Sequence, residues 1–355
     1  MSKDYFLEIT KLSQIMIHDM FQVKSGETIA ITGDTASNRD LADALAGAAH
    51  AAGGIPLLMW TPKSPYDGQA GMDYWPAKAL TAALSQVDVW IELHSNVILY
   101  SDIWEQAFAN NAKLRYIVLG QSSIPSLTRV FTTFDIQYLG AFLAQVKDMC
   151  MQTKKVHILS ENGTDVSYET DLNYFFDYDD GDLSKPRFGT APGYVNIVPK
   201  TNSMNGKIVF DLLMNADIFD NENRIEFVMV DGVINKILGT ESEVKKFKAY
   251  LDSFDDPNMY RISHHMLGFN PGVMQLSGEI VEDERIWGGT DFGFGHTSPM
   301  DMPPEGQPAK SHFDGVVGKV SILLDGIPIV KDGVVCHPEL IPLAEKLVGE
   351  QAVNS

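Results

Sequence analysis

Over roughly the first 155 residues, short apolar runs alternate with amphipathic or alanine-rich segments, and that alternation constrains the fold more than any other feature. "ETIAITGD" predicts a strand, and "NRDLADALAGAAHAAG" predicts a helix closed at Gly53 and Gly54, where a left-handed C-cap fits. The cycle repeats through "IPLLMW", "AKALTAALSQ", "VDVWIELHS", "IWEQAFANNA", "LRYIVLG" and "YLGAFLAQVKDMCMQT", and reaches "KVHILS" at residues 155–160. Strands separated by helices pair in parallel and need cover on both faces. Residues 1–155 are therefore expected to form a doubly wound, parallel-sheet α/β domain.

Beyond residue 155 the texture changes. Strand-like runs such as "GKIVFDLLMNADIF", "RIEFVMVDGVINKILG" and "VSILLDGIPIVKDGVV" are punctuated by Asn-Gly and Asp-Gly, the strongest short hairpin signal, with one helical pattern, "ESEVKKFKAYLDSF", among them. Residues 156–355 are expected to form a β-rich α+β domain that binds metal. A chain of 355 residues has the length for two such domains.

Charge and motif content exclude several functions. With 27 basic against 47 acidic residues, the net charge of -20 repels nucleic acid and anionic membranes. No apolar run approaches the ~18 residues of a membrane span, and "MSKDYFLEITKLSQIMIHDM" lacks the apolar centre of a signal peptide. Two cysteines are too few for a disulfide framework. A cytoplasmic protein is expected. "AITGDTASNRD" holds neither a dinucleotide fingerprint nor a phosphate-binding loop, so no organic cofactor is implied.

The chemistry concentrates near the carboxyl end. Four of the nine histidines, His264, His265, His296 and His312, fall within fifty residues, each in a turn or at the end of an apolar run. In "SHFDG", His312 and Asp314 are two apart, so on a strand both project from one face. These residues hold the ingredients of a two-histidine, one-carboxylate site suited to Fe(II), Zn(II) or Mn(II). His94, at the carboxyl end of a predicted parallel strand, stands where α/β sheets present their ligands and where an imidazole can exchange protons near pH 7. Tyr168, Tyr174, Phe175 and Tyr178, near the change of texture, are candidates for an aromatic lid over a planar substrate, and Arg285 for an anion contact.

"DPNMYRISHHMLGFNPG", "SHFDG", "ILLDGIPIVKDGVV" and "VDVWIELHSNV" together resemble the 2,5-dihydroxypyridine 5,6-dioxygenase family, within a wider group related to the aminopeptidase T metallopeptidases. The resemblance implies a mononuclear Fe(II) enzyme, a homo-oligomer, that opens a hydroxylated pyridine ring with both atoms of dioxygen. It places His264 or its neighbour His265 at the first histidine ligand, His312 and Asp314 at the later ligands, and His94 at the acid/base position. His296 falls where the dioxygenase pattern has a serine near the metal. The peptidase relatives need two metals held by further ligands; here Tyr194 stands in place of a glutamate and Asp291 in place of a histidine, while Glu282, Asp283 and Glu284 remain as acidic groups.

Overall fold

Helix α1 (Phe6–Gln14) leads to β1 (Thr28–Asp34), which is buried from its second residue to its last, as a strand covered on both faces must be. Helix α2 (Arg39–Ala51) starts at Asn38, whose side chain accepts the Leu41 N–H, and gives way to Gly53 at φ 85°. There follow β2 (Ile55–Thr61), α3 (Ala77–Leu84), β3 (Val89–Glu92), α4 (Asp102–Asn110), β4 (Arg115–Val118), α5 (Ile124–Phe131) and α6 (Ile136–Met151). The computed structural model describes residues 5–66, 68–214 and 224–350.

After α6 come β5 (Lys155–Leu159), β6 (Asp165–Glu169), β7 (Phe176–Asp179) and β8 (Arg187–Gly189). The parallel sheet has the order β2-β1-β3-β4-β8, so the order reverses between β1 and β3, and Glu92 and His94 sit at that switch point. The chain divides into two compact units, residues 1–136 with 181–192, and residues 137–180 with 193–355. That division differs from a boundary at residue 155. "KVHILS" forms β5 but does not join the parallel sheet: it buries only alternate residues and pairs antiparallel with β6 across the turn at Asn162 and Gly163. The fifth parallel strand is β8, whose three residues follow Lys185 and Pro186 and carry no apolar run.

The second unit continues with β9 (Tyr194–Ile197), β10 (Asn205–Val209), β11 (Leu212–Leu213), β12 (Glu226–Val230), β13 (Val233–Leu238), α7 (Glu241–Asp252), β14 (Ile262–Gly268) and α8 (Ile280–Asp283). It closes with β15 (Gly289–Thr297), β16 (Gln307–Val317), β17 (Ser321–Leu324), β18 (Ile327–Lys331), β19 (Val334–Val335) and α9 (Ile341–Val348). Residues 215–219 of the predicted run "GKIVFDLLMNADIF" lie outside the described residues. Two antiparallel sheets result, ordered β13-β12-β10-β6-β5-β17-β18-β19 and β11-β16-β15-β14-β9-β7. The Asp-Gly pairs at 231–232, 325–326 and 332–333 take positive φ at both residues, the twist a two-residue hairpin requires.

One face of β15 and β16 is aromatic core. Phe294 stacks on Phe313 at 5.1 Å, and Phe210, Phe227 and Phe247 close around them, all fully buried. Each such ring contributes about 1.5–3 kcal/mol by burial, so the strands bearing the candidate ligands are firmly seated. Among the described residues no helix is long and apolar enough to cross a membrane.

Candidate metal centre

The opposite face of the same strands carries the chemistry. Across β14, β15 and β16 the register aligns His264 with Gly293 and Gly293 with Asp314, and the next row of that face pairs Gly295 with His312. The period of two along each strand puts His264, Asp291, Gly293, His312 and Asp314 on one side. Gly293 is the floor of the site: a Cβ built on it would lie 2.6 Å from Cδ2 and 2.7 Å from Cε1 of His264, with Nε2 nearer still. A glycine on the central strand lets the side chains of the outer two lean together over it.

His264 Nε2 lies 3.1 Å from His312 Nε2 and 3.4 Å from Asp314 Oδ1, and His312 Nε2 lies 2.9 Å from the same carboxylate oxygen. The rings of His264 and His312 are stacked within 13° of parallel. His312 donates from Nδ1 to the His296 carbonyl oxygen at 3.0 Å, which turns its Nε2 lone pair inward. Burial lowers the pKa of His264. For His312 burial acts downwards too, but the Asp314 carboxylate outweighs it and the net shift is upwards. Burial would raise Asp314; the two histidines overcome it and hold the carboxyl well below the usual carboxylate range.

These donors fit a divalent ion. With bonds of about 2.1 Å, neighbouring ligand atoms are about 3.0 Å apart on an octahedron and about 3.4 Å on a tetrahedron, the spread seen here. Nitrogen lone pairs and a carboxylate facing each other at such distances repel unless a proton or a cation lies among them. Charge balance agrees. Burial, reinforced by the mutual repulsion of Asp314, Asp291 and Glu284, pushes the Asp291 carboxyl well above the usual carboxylate range and that of Glu284 up to about 7; Arg285 opposes this only in part, and a doubly charged ion would favour their ionised forms. Among the described residues this is the single grouping of three whose ligand atoms lie within 4.8 Å of one another.

The other candidate residues stand elsewhere. His265 points through the sheet to the far face, stacked on Phe292 at 4.6 Å, with both ring nitrogens engaged. Thr290 donates to the Met266 carbonyl, so its oxygen accepts from His265 Nε2, and Tyr168 donates to Nδ1 at 2.8 Å. Burial drives that imidazole down to about 3, and it is neutral. Tyr168 is thus a buried partner of His265. Tyr174 bonds Thr201 through its hydroxyl, Phe175 is exposed, and Tyr178 lies under Lys147. His296 is exposed and is not among the three residues whose ligand atoms are grouped; its carbonyl accepts from His312 Nδ1, and its ring, lowered in pKa by partial burial and by His312, lies within electrostatic reach. Arg285 is buried, pairs with Glu284, donates to the Val281 carbonyl at 2.7 Å and lies over the Tyr194 ring at 5.1 Å.

In the first unit His94 is fully buried, 3.3 Å from Thr32 Oγ1 through Nδ1 and 5.5 Å from the Trp75 ring, while its Nε2 has no hydrogen-bond partner. Burial, partly opposed by Asp34, lowers its pKa to about 4, so the ring is neutral at pH 7. Gly293 has no side chain to mark it as part of this face; its signal in the sequence is the "DFGFG" alternation, in which glycines recur at every second residue of a strand.

A mixed α/β chain with such a cluster is, as a class, a candidate metalloprotein. The family model for 2,5-dihydroxypyridine 5,6-dioxygenase matches residues 14–337, and the chain belongs to that family of dioxygenases. Among solved structures, the 2,5-dihydroxypyridine dioxygenase from Pseudomonas putida is similar over 94% of this chain and 98% of its own, with a TM-score of 0.77 at 19% identity. AmpT from Thermus thermophilus is similar over 94% of this chain and 100% of its own, with a TM-score of 0.67 at 12% identity. At these identities the likeness is one of fold. No curated protein matches the sequence.

Proposed function

We propose that the protein is a mononuclear Fe(II) dioxygenase that opens the ring of a small hydroxylated aromatic, a dihydroxypyridine being the substrate class, and that it acts as a cytoplasmic homo-oligomer. The observation that carries the proposal is the meeting of His264, His312 and Asp314 over Gly293 in a chain of this family. His264, His312 and Asp314 would hold ferrous iron, which when bound would supply the binding and activation of dioxygen and of a substrate oxygen. His312 is held in the required tautomer by the His296 carbonyl, and Asp314 enters as a full carboxylate. Arg285 favours the ionised forms of Glu284 and Asp291, against the burial that raises the pKa of both. The role the resemblance gives His94 is proton exchange with substrate, for which a neutral ring with an unpartnered Nε2 is suited. The two cysteines, both free, agree with a reducing compartment.

Anaerobic loading with Fe(II), metal counting and oxygen uptake with 2,5-dihydroxypyridine test the proposal. One iron per chain with substrate-dependent uptake is expected. Two metals per chain with peptide hydrolysis and no oxygen consumption would replace it with a hydrolase.

A further inference from the structure

We infer that Asp291 is the positioning residue of the metal centre, its carboxylate taking the Nδ1–H of His264 and so fixing that ring for coordination through Nε2. The inference rests on the metal-centre reading above and adds a residue to it. Asp291 is fully buried in β15, and its Oδ2 lies 4.0 Å from His264 Nδ1. That nitrogen and both carboxylate oxygens are hidden from solvent without a well-formed hydrogen bond, although the Gly315 amide still acts weakly on the carboxylate. Burial first, then Asp314 and Glu284, raise its pKa, and Arg285 relieves this only in part.

An orphaned acid in such a place costs stability unless another function retains it. A metal on His264 Nε2 supplies the reason. A neutral imidazole that gives its Nε2 lone pair to a cation must carry its proton on Nδ1. The acceptor facing that N–H is Asp291, and an approach of about 1 Å brings the pair to ordinary hydrogen-bond length. His312 has the parallel device in the His296 carbonyl. The two ligands differ in strength, because a carboxylate partner raises the basicity of its histidine more than a carbonyl does.

The test compares wild type, Asp291→Asn and Asp291→Leu as full chains stripped with EDTA. Co(II) affinity is read from its visible absorption bands in competition with a chelator, and stability from thermal melting of the stripped proteins. Expected is a fall of about 10–100-fold in Co(II) affinity for Asn and a larger one for Leu. The stripped variants should melt no lower than wild type, since each removes a buried acid that has no well-formed hydrogen bond. Variants that bind Co(II) as tightly as wild type would overturn the inference, and so would affinity and stability falling together, the signature of a merely structural residue. Wild-type protein that binds no Co(II) would overturn the metal-centre reading, and the inference with it. Leu, which fills a similar volume without polarity, keeps the comparison available should Asn fail to fold.

Discussion

Replacing Gly293 with alanine adds one methyl group at the floor of the cluster and little else. The backbone there is not in the left-handed region, so alanine meets no conformational barrier, and the nearest atoms to the new Cβ all belong to the His264 ring. Cδ2 and Cε1 at 2.6 and 2.7 Å must retreat by about 1 Å to reach normal contact. A metal site tolerates ligand displacements of about 0.2 Å. His264 Nε2 would then leave the triangle it forms with His312 and Asp314, and the ion would keep two protein ligands. Since losing a supporting hydrogen bond alone costs about 10–100-fold in affinity, losing a ligand should cost at least 100-fold. Overpacking costs about 1–3 kcal/mol, offset by about 0.5–1 kcal/mol from the stiffer unfolded chain, so the protein should still fold. Iron content after anaerobic loading and Co(II) titration read the loss. Gly47→Ala in α2, where a Cβ meets nothing within 4 Å, serves as the control. Wild-type metal affinity in Gly293→Ala would refute the reasoning, because the clash is with the proposed ligand itself.

His264→Ala should abolish stoichiometric iron binding, while His296→Ala should keep affinity within about threefold, because the His296 ring is not among the grouped ligand atoms and its carbonyl, which holds His312, is kept; metal analysis separates them. His265→Ala should lose about 2–4 kcal/mol of stability, through a cavity and two broken hydrogen bonds, yet retain iron, as thermal melting with metal counting would show. Removing the ion with EDTA should lower the melting temperature, since a ligand at 100 times its Kd stabilises by about 2.7 kcal/mol. Glu92 carries a pH signature. It is fully buried against the Ile98 amide and the Tyr116 hydroxyl, and burial raises its pKa from 4.5 to about 8. An acid whose folded pKa is raised lends stability that is complete below pH 4.5 and is lost as pH rises to about 8, at about 1.4 kcal/mol per pH unit. Melting temperatures of wild type relative to Glu92→Gln should therefore decline across that window and level off above it.

What could be read from the sequence was what the local chain decides. The strands β1 to β4 and the helices between them, the close of α2 at Gly53, the Asp-Gly hairpins and the shared face of His312 and Asp314 all follow from spacings of a few residues. Partner choice does not. "KVHILS" is visibly a strand, but nothing within it says that it pairs with β6 and β17 rather than with β4. His264 and His265 are chemically equivalent in the sequence and are separated only by the pleat of β14, whose phase is fixed by its pairing with Gly293 and Phe292 on β15.

The division of labour between those adjacent histidines shows how the site is specified. A shift of β14 by one residue against β15 would exchange the two imidazoles, sending His264 into the aromatic layer and His265 over Gly293. His265 resists that exchange, since Tyr168 and Thr290 hold its two nitrogens and Phe292 its face, so a slip would bury an imidazole stripped of all three contacts. A residue on the far face of the sheet thereby locks the register that aims its neighbour. Gly293 makes the same choice from the other side, because a ring can cross the central strand only where no side chain stands. The metal face is thus determined by what lies behind it and by what is missing beneath it.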